Sequence, residues 1–217
     1  MAYTRGSSNN IIVGAAALFT YDGALSGSPK TGNTGAKPPA FVDGDSYKET
    51  LATAASTSGS KWRNVGYTSN GLDLEFQPSF GEVKVDQVLD VARLFKDGMQ
   101  VSLKTSFAEA TLENLLVSVA AQGEDLYEDA DAEDSPTFDI QSGGLGDVPL
   151  ERGLVAVGPG TGDPSNPKER IYIGYRALSI QNVTVSAKRD AATMFDVTFR
   201  MLPIENGSYG KIIDRAL

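Results

Sequence analysis

Two carboxylates, Asp73 and Glu75, stand two residues apart in an alternating segment, so they project from the same face of a predicted strand. Glycosidases use paired carboxylates, one as an acid and the other as a nucleophile or base. A polar strand face produces the same spacing without any chemistry. We therefore interpret Asp73 and Glu75 as part of a polar strand face.

Three other short patterns resemble catalytic or binding motifs but lack the context that these motifs need. Ser58 and Lys61 match the S-x-x-K pattern of penicillin-binding enzymes, and residues 30–32 match their K-T-G pattern, but the order is reversed. The glycine-rich residues 158–162 lack the Gly-Lys-Ser/Thr continuation of a phosphate-binding loop. The acidic residues 129–134 lack the glycine and the closing glutamate of an EF-hand, and we interpret them as a solvated loop.

The composition excludes most familiar catalytic chemistry, because the chain contains no histidine and no cysteine. Thiol nucleophiles, disulfides, zinc-finger sites and histidine-dependent triads are therefore impossible. Histidine is also the commonest general acid or base in enzymes. We expect a protein that is not an enzyme and that needs no cofactor or metal.

The charge of the chain argues against tight binding to nucleic acid. Its 19 basic and 28 acidic residues give a formal net charge of −9, and phosphates bind to basic surfaces. The apolar run from Ile11 to Phe19 is far shorter than the roughly 20 residues of a membrane span. We expect this run to form a buried strand, and we expect no membrane partner.

Alternation with a period of two dominates the middle of the sequence and predicts half-buried antiparallel strands. Asn70-Gly71 precedes the first of these segments and is a strong signal for a hairpin turn. The alternating segments are Leu72, Leu74 and Phe76 against Asp73, Glu75 and Gln77; Val83 and Val85 against Glu82, Lys84 and Asp86; Met99, Val101 and Leu103 against Gln100, Ser102 and Lys104; Val183, Val185 and Ala187; and Phe195, Val197, Phe199 and Met201.

One segment has a convincing helical period. Its apolar residues fall at i, i+3, i+4 and i+7, which predicts one stripe packed against a sheet. Ser106 with Glu109 forms a possible capping box, and Thr111 is an alternative cap. The stripe consists of Leu112, Leu115, Leu116 and Val119.

These elements predict a mainly β, antiparallel fold with one α-helix packed on a sheet and long loops, in a single domain over residues 1–217. Residues 22–60 are dominated by small and polar residues, which predicts a long loop or arm. Residues 123–152 form a second, acidic and glycine-rich loop. Loops of such length are often functional.

The order of several segments resembles the tail tube protein (major tail protein) family of long-tailed bacteriophages. These segments are residues 65–71 (Val-Gly-Tyr-Thr-Ser-Asn-Gly), the alternating strand after them, residues 85–87 (Val-Asp-Gln), Gly98 with its strand, residues 110–115 (Ala-Thr-Leu-Glu-Asn-Leu) and the closing strand 194–201 with Leu202-Pro203. The resemblance covers roughly residues 61–120 and 170–217. It depends on order and spacing, since no single motif is specific.

The resemblance implies an antiparallel β-sandwich with one flanking α-helix, in a structural virion protein that is made in the host cytoplasm and assembles with itself into hexameric rings stacked as a hollow tail tube. Other tail proteins would be its partners, and double-stranded DNA would pass through without specific binding. If six copies contribute four strands each, about 24 strands roughly 4.8 Å apart give a backbone diameter of at least about 37 Å. Such a channel would admit a DNA duplex.

Under this interpretation the polar residues of the alternating strands are candidates for the face that lines the lumen, which would be acidic on balance. Two alternatives remain: a β-rich carbohydrate- or host-binding module, and a capsid decoration protein. A carbohydrate-binding module usually exposes an aromatic platform, and Trp62 is the only tryptophan. The candidate lumen residues are Asp73, Glu75, Glu82, Lys84 and Asp86.

Overall fold

The computed structural model of the 217-residue chain describes most of the sequence. The described residues are 11–23, 25, 35–42, 44–84, 86, 90–121, 126–128, 136–138, 140, 149–161 and 167–217. Every structural feature given for the protein belongs to these residues.

Ten strands and two helices form within the described residues. The helices are α1 (Tyr47–Ser56) and α2 (Leu112–Ser118). All strand pairs are antiparallel, so the prediction of a mainly β, antiparallel protein is confirmed. The strands are β1 (Ala17–Tyr21), β2 (Trp62–Asn64), β3 (Thr68–Val83), β4 (Arg93–Phe107), β5 (Leu126–Glu128), β6 (Pro136–Phe138), β7 (Arg152–Pro159), β8 (Lys168–Ser179), β9 (Phe195–Met201) and β10 (Gly210–Ala216).

Eight strands share one sheet in the order β2-β1-β7-β8-β9-β4-β3, with β10 also paired to β8. Strand β8 is the branch point, because its residues 168–174 pair with β10 and its residues 177–179 pair with β9. Leu18 of β1 belongs to the same buried cluster as Val101 of β4 and Phe199 of β9, so both ends of the sheet contribute to this main core. A sandwich of two separate sheets is not confirmed.

A second core lies on the opposite face of β1, β7 and β8, where α1 covers the sheet. Tyr47 and Leu51 are completely buried there and pack with Phe19 and Val155. The prediction of a loop over residues 22–60 is therefore wrong for the ten residues of α1. The described residues form two helices, where the sequence predicted one. The sequence did not predict helix α1, because small and polar residues surround its two large buried side chains.

A buried carboxylate from β8 anchors the start of α1. Glu169 accepts hydrogen bonds from the backbone N–H of Tyr47 (2.9 Å) and the hydroxyl of Ser46 (3.1 Å), and it pairs with Arg215 of β10 (3.2 Å). A negative charge at a helix N-terminus is stabilised by the helix dipole. Burial, and next the charge of Glu169, raise the pKa of Tyr47 to about 12. Its neutral phenol donates to the carbonyl of Pro39 (2.8 Å).

Asn70 and Gly71 form a β-bulge inside β3, and the predicted hairpin turn at this position is wrong. Their φ values are 61° and 72°, which is the same backbone geometry that makes the pair favourable in turns. Strand β3 gains two residues relative to β4 between Ser69 and Leu72. The hydroxyl of Thr105 donates to the Gly71 carbonyl (2.8 Å) and holds the bulge. Strand β3 then continues to Val83.

The cap of α2 is Thr111, one of the two predicted possibilities. Its hydroxyl accepts a hydrogen bond from the backbone N–H of Asn114 (3.2 Å). Glu109 instead accepts from the backbone N–H of Tyr67 (2.8 Å), and Ser106 belongs to β4. The capping box is therefore not formed.

The predicted stripe of α2 is partly wrong. Leu116 is buried and Leu112 and Leu115 are half-buried, but Val119 is 44% exposed. The reason is that α2 ends at Ser118, so Val119 has left the helical stripe. Val117 enters the main core in its place.

We predict that Leu116→Ala lowers the free energy of unfolding by about 2 to 5 kcal/mol, because it leaves a cavity at a buried position. Val119→Ala is the matched control and should change this free energy by less than about 0.5 kcal/mol. Denaturant unfolding of the subunit measures both. Equal effects of the two substitutions would contradict the packing given for α2.

Several connecting segments also differ from the predictions. Strands β5 and β6 pair into a small separate sheet, so residues 123–152 are not entirely loop. The acidic residues 129–134 lie outside the described residues. Residues 183–187 form no strand, and Val185 is 57% exposed. The apolar run that begins at Ile11 becomes a strand only from Ala17.

A buried arginine connects four elements of the fold. Arg152, at the start of β7, is only 2% exposed and donates to Asp22 (2.9 Å) and to the Ala121 carbonyl (2.7 Å). Arg63 of β2 donates to the other Asp22 oxygen (3.2 Å) and to Asn114 of α2 (2.8 Å). Burial lowers the pKa of Arg152, and the charge of Asp22 opposes this. The guanidinium stays charged and needs this partner.

Candidate assembly surface

Strands β3, β4 and β9 present a polar face on the side away from the main core. Residues directly opposite each other in an antiparallel sheet project to the same side, so the strand register defines the rows of this face. Leu74 and Leu103, which alternate with the polar residues, pack against or within the main core. The two central rows are Asp73, Lys104 and Thr198, and then Glu75, Ser102 and Arg200.

The charges of this polar face nearly cancel. The ammonium of Lys104 lies 2.6 Å from a carboxylate oxygen of Glu75. The hydrogen bond from Lys104 holds the pKa of Glu75 below its usual range, and the same contact raises the pKa of Lys104. Three acidic residues, Asp73, Glu75 and Asp196, face two basic residues, Lys104 and Arg200, which leaves one negative charge.

Only Asp73 and Glu75, of the five predicted lumen residues, lie on this polar face. Asp73 and Glu82 are nine residues apart in one continuous strand, and an odd separation places side chains on opposite faces. The prediction is therefore wrong for Glu82. Lys84 and Asp86 lie beyond the end of β3, so they are not on a strand face.

The two alternating segments of β3 could not be joined from the sequence because Pro78 and Gly81 stand between them. Pro78 is tolerated since β3 is an edge strand, where one side needs no hydrogen-bond donors. Gly81 leaves room for the ring of Phe95, its partner across the strand pair.

The β3–β4 hairpin extends beyond the rest of the sheet. Strand β9 pairs only with residues 101–107 of β4, so β3 is the only strand that pairs with residues 93–100 in the described chain. This outer part carries large apolar side chains that are exposed: Phe80 (59%), Val83 (40%), Leu94 (59%) and Phe95 (49%). We call residues 78–83 and 93–98 the distal hairpin.

The sequence did not predict the distal hairpin, because Phe80 belongs to none of the alternating segments and residues 88–95 are ambiguous between a short helix and an irregular strand. The available signal was the occurrence of apolar residues at both odd and even positions, as in Leu94-Phe95. This pattern is typical of strands that are buried on both faces.

An apolar cavity of about 400 Å³ opens between β3, β4 and the β10 region. It lies at the end of the main core, where Phe76 and Met201 form part of its wall. Ile212 of β10 stands at this cavity with half of its side chain exposed. The apolar wall consists mainly of Leu74, Phe76, Met99, Val101, Met201 and Tyr209.

The motif-like patterns of the sequence do not come together in the fold. Ser58 and Lys61 are exposed in the connection after α1. Gly158 lies within β7, next to its last residue Pro159, and the backbone N–H of Gly160 donates to the Lys168 carbonyl (2.8 Å). Residues 30–32 lie outside the described part of the chain.

The chain matches no protein-family model and no curated protein to which it was compared. Within the described residues, no group of three or more acidic side chains is arranged to hold a metal ion. No helix in the part of the chain that the structure describes is long and apolar enough to cross a membrane.

Proposed function

We propose that this chain is a structural subunit that assembles with copies of itself into stacked rings, forming the hollow tail tube of a phage through which double-stranded DNA passes. The observation that carries the proposal is the β3–β4 hairpin, which extends past β9 and exposes apolar side chains. A long edge strand with exposed apolar residues is a hazard in a monomer. In a subunit of a polymer, such an edge strand is a surface through which the copies bind each other.

The polar face of β3, β4 and β9 supports the second part of the proposal, passage of DNA. Its charges nearly cancel, so a lumen lined by this face would neither hold phosphates by counterion release nor repel the duplex strongly. The residual negative charge of each subunit favours sliding over binding. This is the property that a conduit for DNA requires.

The carbohydrate-binding alternative has less support. Trp62 is only 7% exposed and packs against Tyr21, with ring centroids 5.2 Å apart. It therefore offers no platform for stacking a sugar ring. A capsid decoration protein remains compatible with the composition but does not explain the projecting hairpin.

Negative-stain electron microscopy of the purified protein at increasing concentration tests the proposal. We expect rings or hollow filaments with a channel of at least about 37 Å between backbones, the value for about 24 strands. Light scattering on the same samples should reveal masses well above that of the 22.9 kDa subunit. A protein that stays monomeric at every concentration would contradict the proposal.

A further inference from the structure

We propose that the distal hairpin of one copy inserts into the apolar cavity between β3 and β10 of a second copy. This inference depends on the proposed self-assembly and identifies the surfaces that carry it. It follows from two features of the described residues: a hairpin whose large apolar side chains are exposed, and an apolar cavity that opens at the surface.

The distal hairpin has the composition of an internal element. Phe80 pairs across from Lys96, and Glu82 pairs across from Leu94, so Phe80 and Leu94 share one face. Phe95 pairs with Gly81 and therefore occupies the other face. Apolar side chains on both faces are typical of strands enclosed between two layers. A two-stranded ribbon exposed to water on both faces is only marginally stable.

The cavity has the size and the lining to receive apolar side chains. Its volume of about 400 Å³ lies within the range of about 300 to 1,000 Å³ that is typical of pockets for drug-sized molecules. One or two aromatic rings are therefore accommodated. Filling it would extend the end of the main core, because Met201 and Val101 belong to this core and also line the cavity.

The occupant is a second copy, because the hairpin of the same chain cannot reach its own cavity. Phe76 forms part of the cavity wall, and β3 continues from it as one strand to Phe80. Four residues of extended strand place Phe80 about 14 Å beyond Phe76. The hairpin therefore extends away from the cavity, although the same strand, β3, contributes to the cavity wall.

The contact is heterologous, since each copy offers one hairpin and one cavity at different places. Heterologous contacts close into rings or continue as filaments. Half-exposed aromatic side chains offer about 100 Å² each and the smaller Val83 and Leu94 somewhat less, so the apolar residues of the distal hairpin supply roughly 350 Å². This is about half of the roughly 800 Å² per partner that a stable pair needs. A closed ring, in which every copy makes the contact twice, is therefore favoured over an isolated pair.

The first test removes the apolar side chains of the hairpin. The double variant Phe80→Ser with Leu94→Ser should raise the concentration needed for assembly at least about 30-fold, the effect of losing one interface hot spot. Because both residues are exposed, the variant should keep the unfolding midpoint of the wild-type subunit. Tyr67→Ser, at an exposed position (80%) outside the hairpin, is the matched control and should assemble normally.

The second test maps the contact directly and uses the absence of cysteine from the chain. In a variant with Phe80→Cys and Ile212→Cys, a short bis-maleimide should join successive copies into a ladder of covalent oligomers. A variant with Tyr67→Cys and Ile212→Cys should give no ladder. Equal cross-linking of the two variants would overturn the inference.

The outcomes separate the inference from the proposed function. If the wild-type protein assembles and the Phe80→Ser, Leu94→Ser variant assembles equally well, the tube proposal stands and the hairpin contact is wrong. If the wild-type protein never assembles, both the tube proposal and the hairpin contact are wrong. If assembly leaves the binding of an apolar dye such as ANS at the cavity unchanged, the hairpin does not fill the cavity and the inference is overturned.

Discussion

Replacement of Asp22 by alanine is expected to lower the free energy of unfolding by about 3 to 5 kcal/mol. The loss is large because Arg152 is only 2% exposed and, among the described residues, would keep just the Ala121 carbonyl as a hydrogen-bond partner. Arg63 would lose the same carboxylate. The substitution therefore leaves a buried charge without its counterion.

The reverse substitution, Arg152→Met, should cost less than Asp22→Ala. Asp22 is 26% exposed, so it would keep water and Arg63 as partners, and methionine preserves much of the buried volume. Glu82→Ala is the control, because the Glu82–Lys84 pair is exposed at the surface and should contribute less than about 1 kcal/mol.

Denaturant unfolding of the Phe80→Ser, Leu94→Ser background would measure these differences without a contribution from subunit assembly, which changes apparent stability. Loss of less than about 1 kcal/mol for Asp22→Ala would contradict the role of Asp22 as the counterion of Arg152. An effect of Arg152→Met that exceeds that of Asp22→Ala would contradict the difference in exposure.

The β class was predictable because alternation acts directly on burial. In β4 and β9, Val101, Leu103, Val197 and Phe199 enter the core as their period of two requires. A strand that is buried on one face needs this pattern, whatever its neighbours are. The order in which the strands pair was not predictable, since the branch at β8 depends on contacts between residues far apart in the chain.

Helix α1 was not predictable because its stability is largely tertiary. Only Tyr47 and Leu51 are large and buried, and its N-terminus is satisfied by Glu169, which is more than 100 residues away in the sequence. A ten-residue helix is marginal by itself. The bulge at Asn70-Gly71 has a similar origin, because local geometry permits either a turn or a bulge and the sheet selects the bulge.

The candidate site was only partly predictable. The position of Asp73 and Glu75 follows from local alternation, whereas the exclusion of Glu82 requires that β3 be known as one strand across Pro78. The partner of Glu75, Lys104, lies on another strand and depends on register. The apolar cavity collects residues from several strands and has no local pattern.

Reversal of the charge on the polar face should slow the passage of DNA if this face lines the tube. Asp73→Lys with Glu75→Lys replaces two carboxylates by two ammonium groups and changes the local charge of each subunit from −1 to +3. Six subunits per ring would then form a strongly basic lumen, which holds the duplex by counterion release. The exposed Glu75–Lys104 pair contributes little to stability, so assembly should be retained.

The measurement is the rate of DNA release from virions that carry the two substitutions, followed with a DNA-binding dye. We expect release at least about tenfold slower than wild type at 10 mM salt, with recovery towards the wild-type rate at high salt, where the screening length falls from about 30 Å to a few ångströms. Asp190→Lys with Glu205→Lys makes the same charge change at exposed positions off this face and should leave the rate unchanged. Release at the wild-type rate in low salt, from normally assembled tails, would show that the face of Asp73 and Glu75 does not line the path of the DNA.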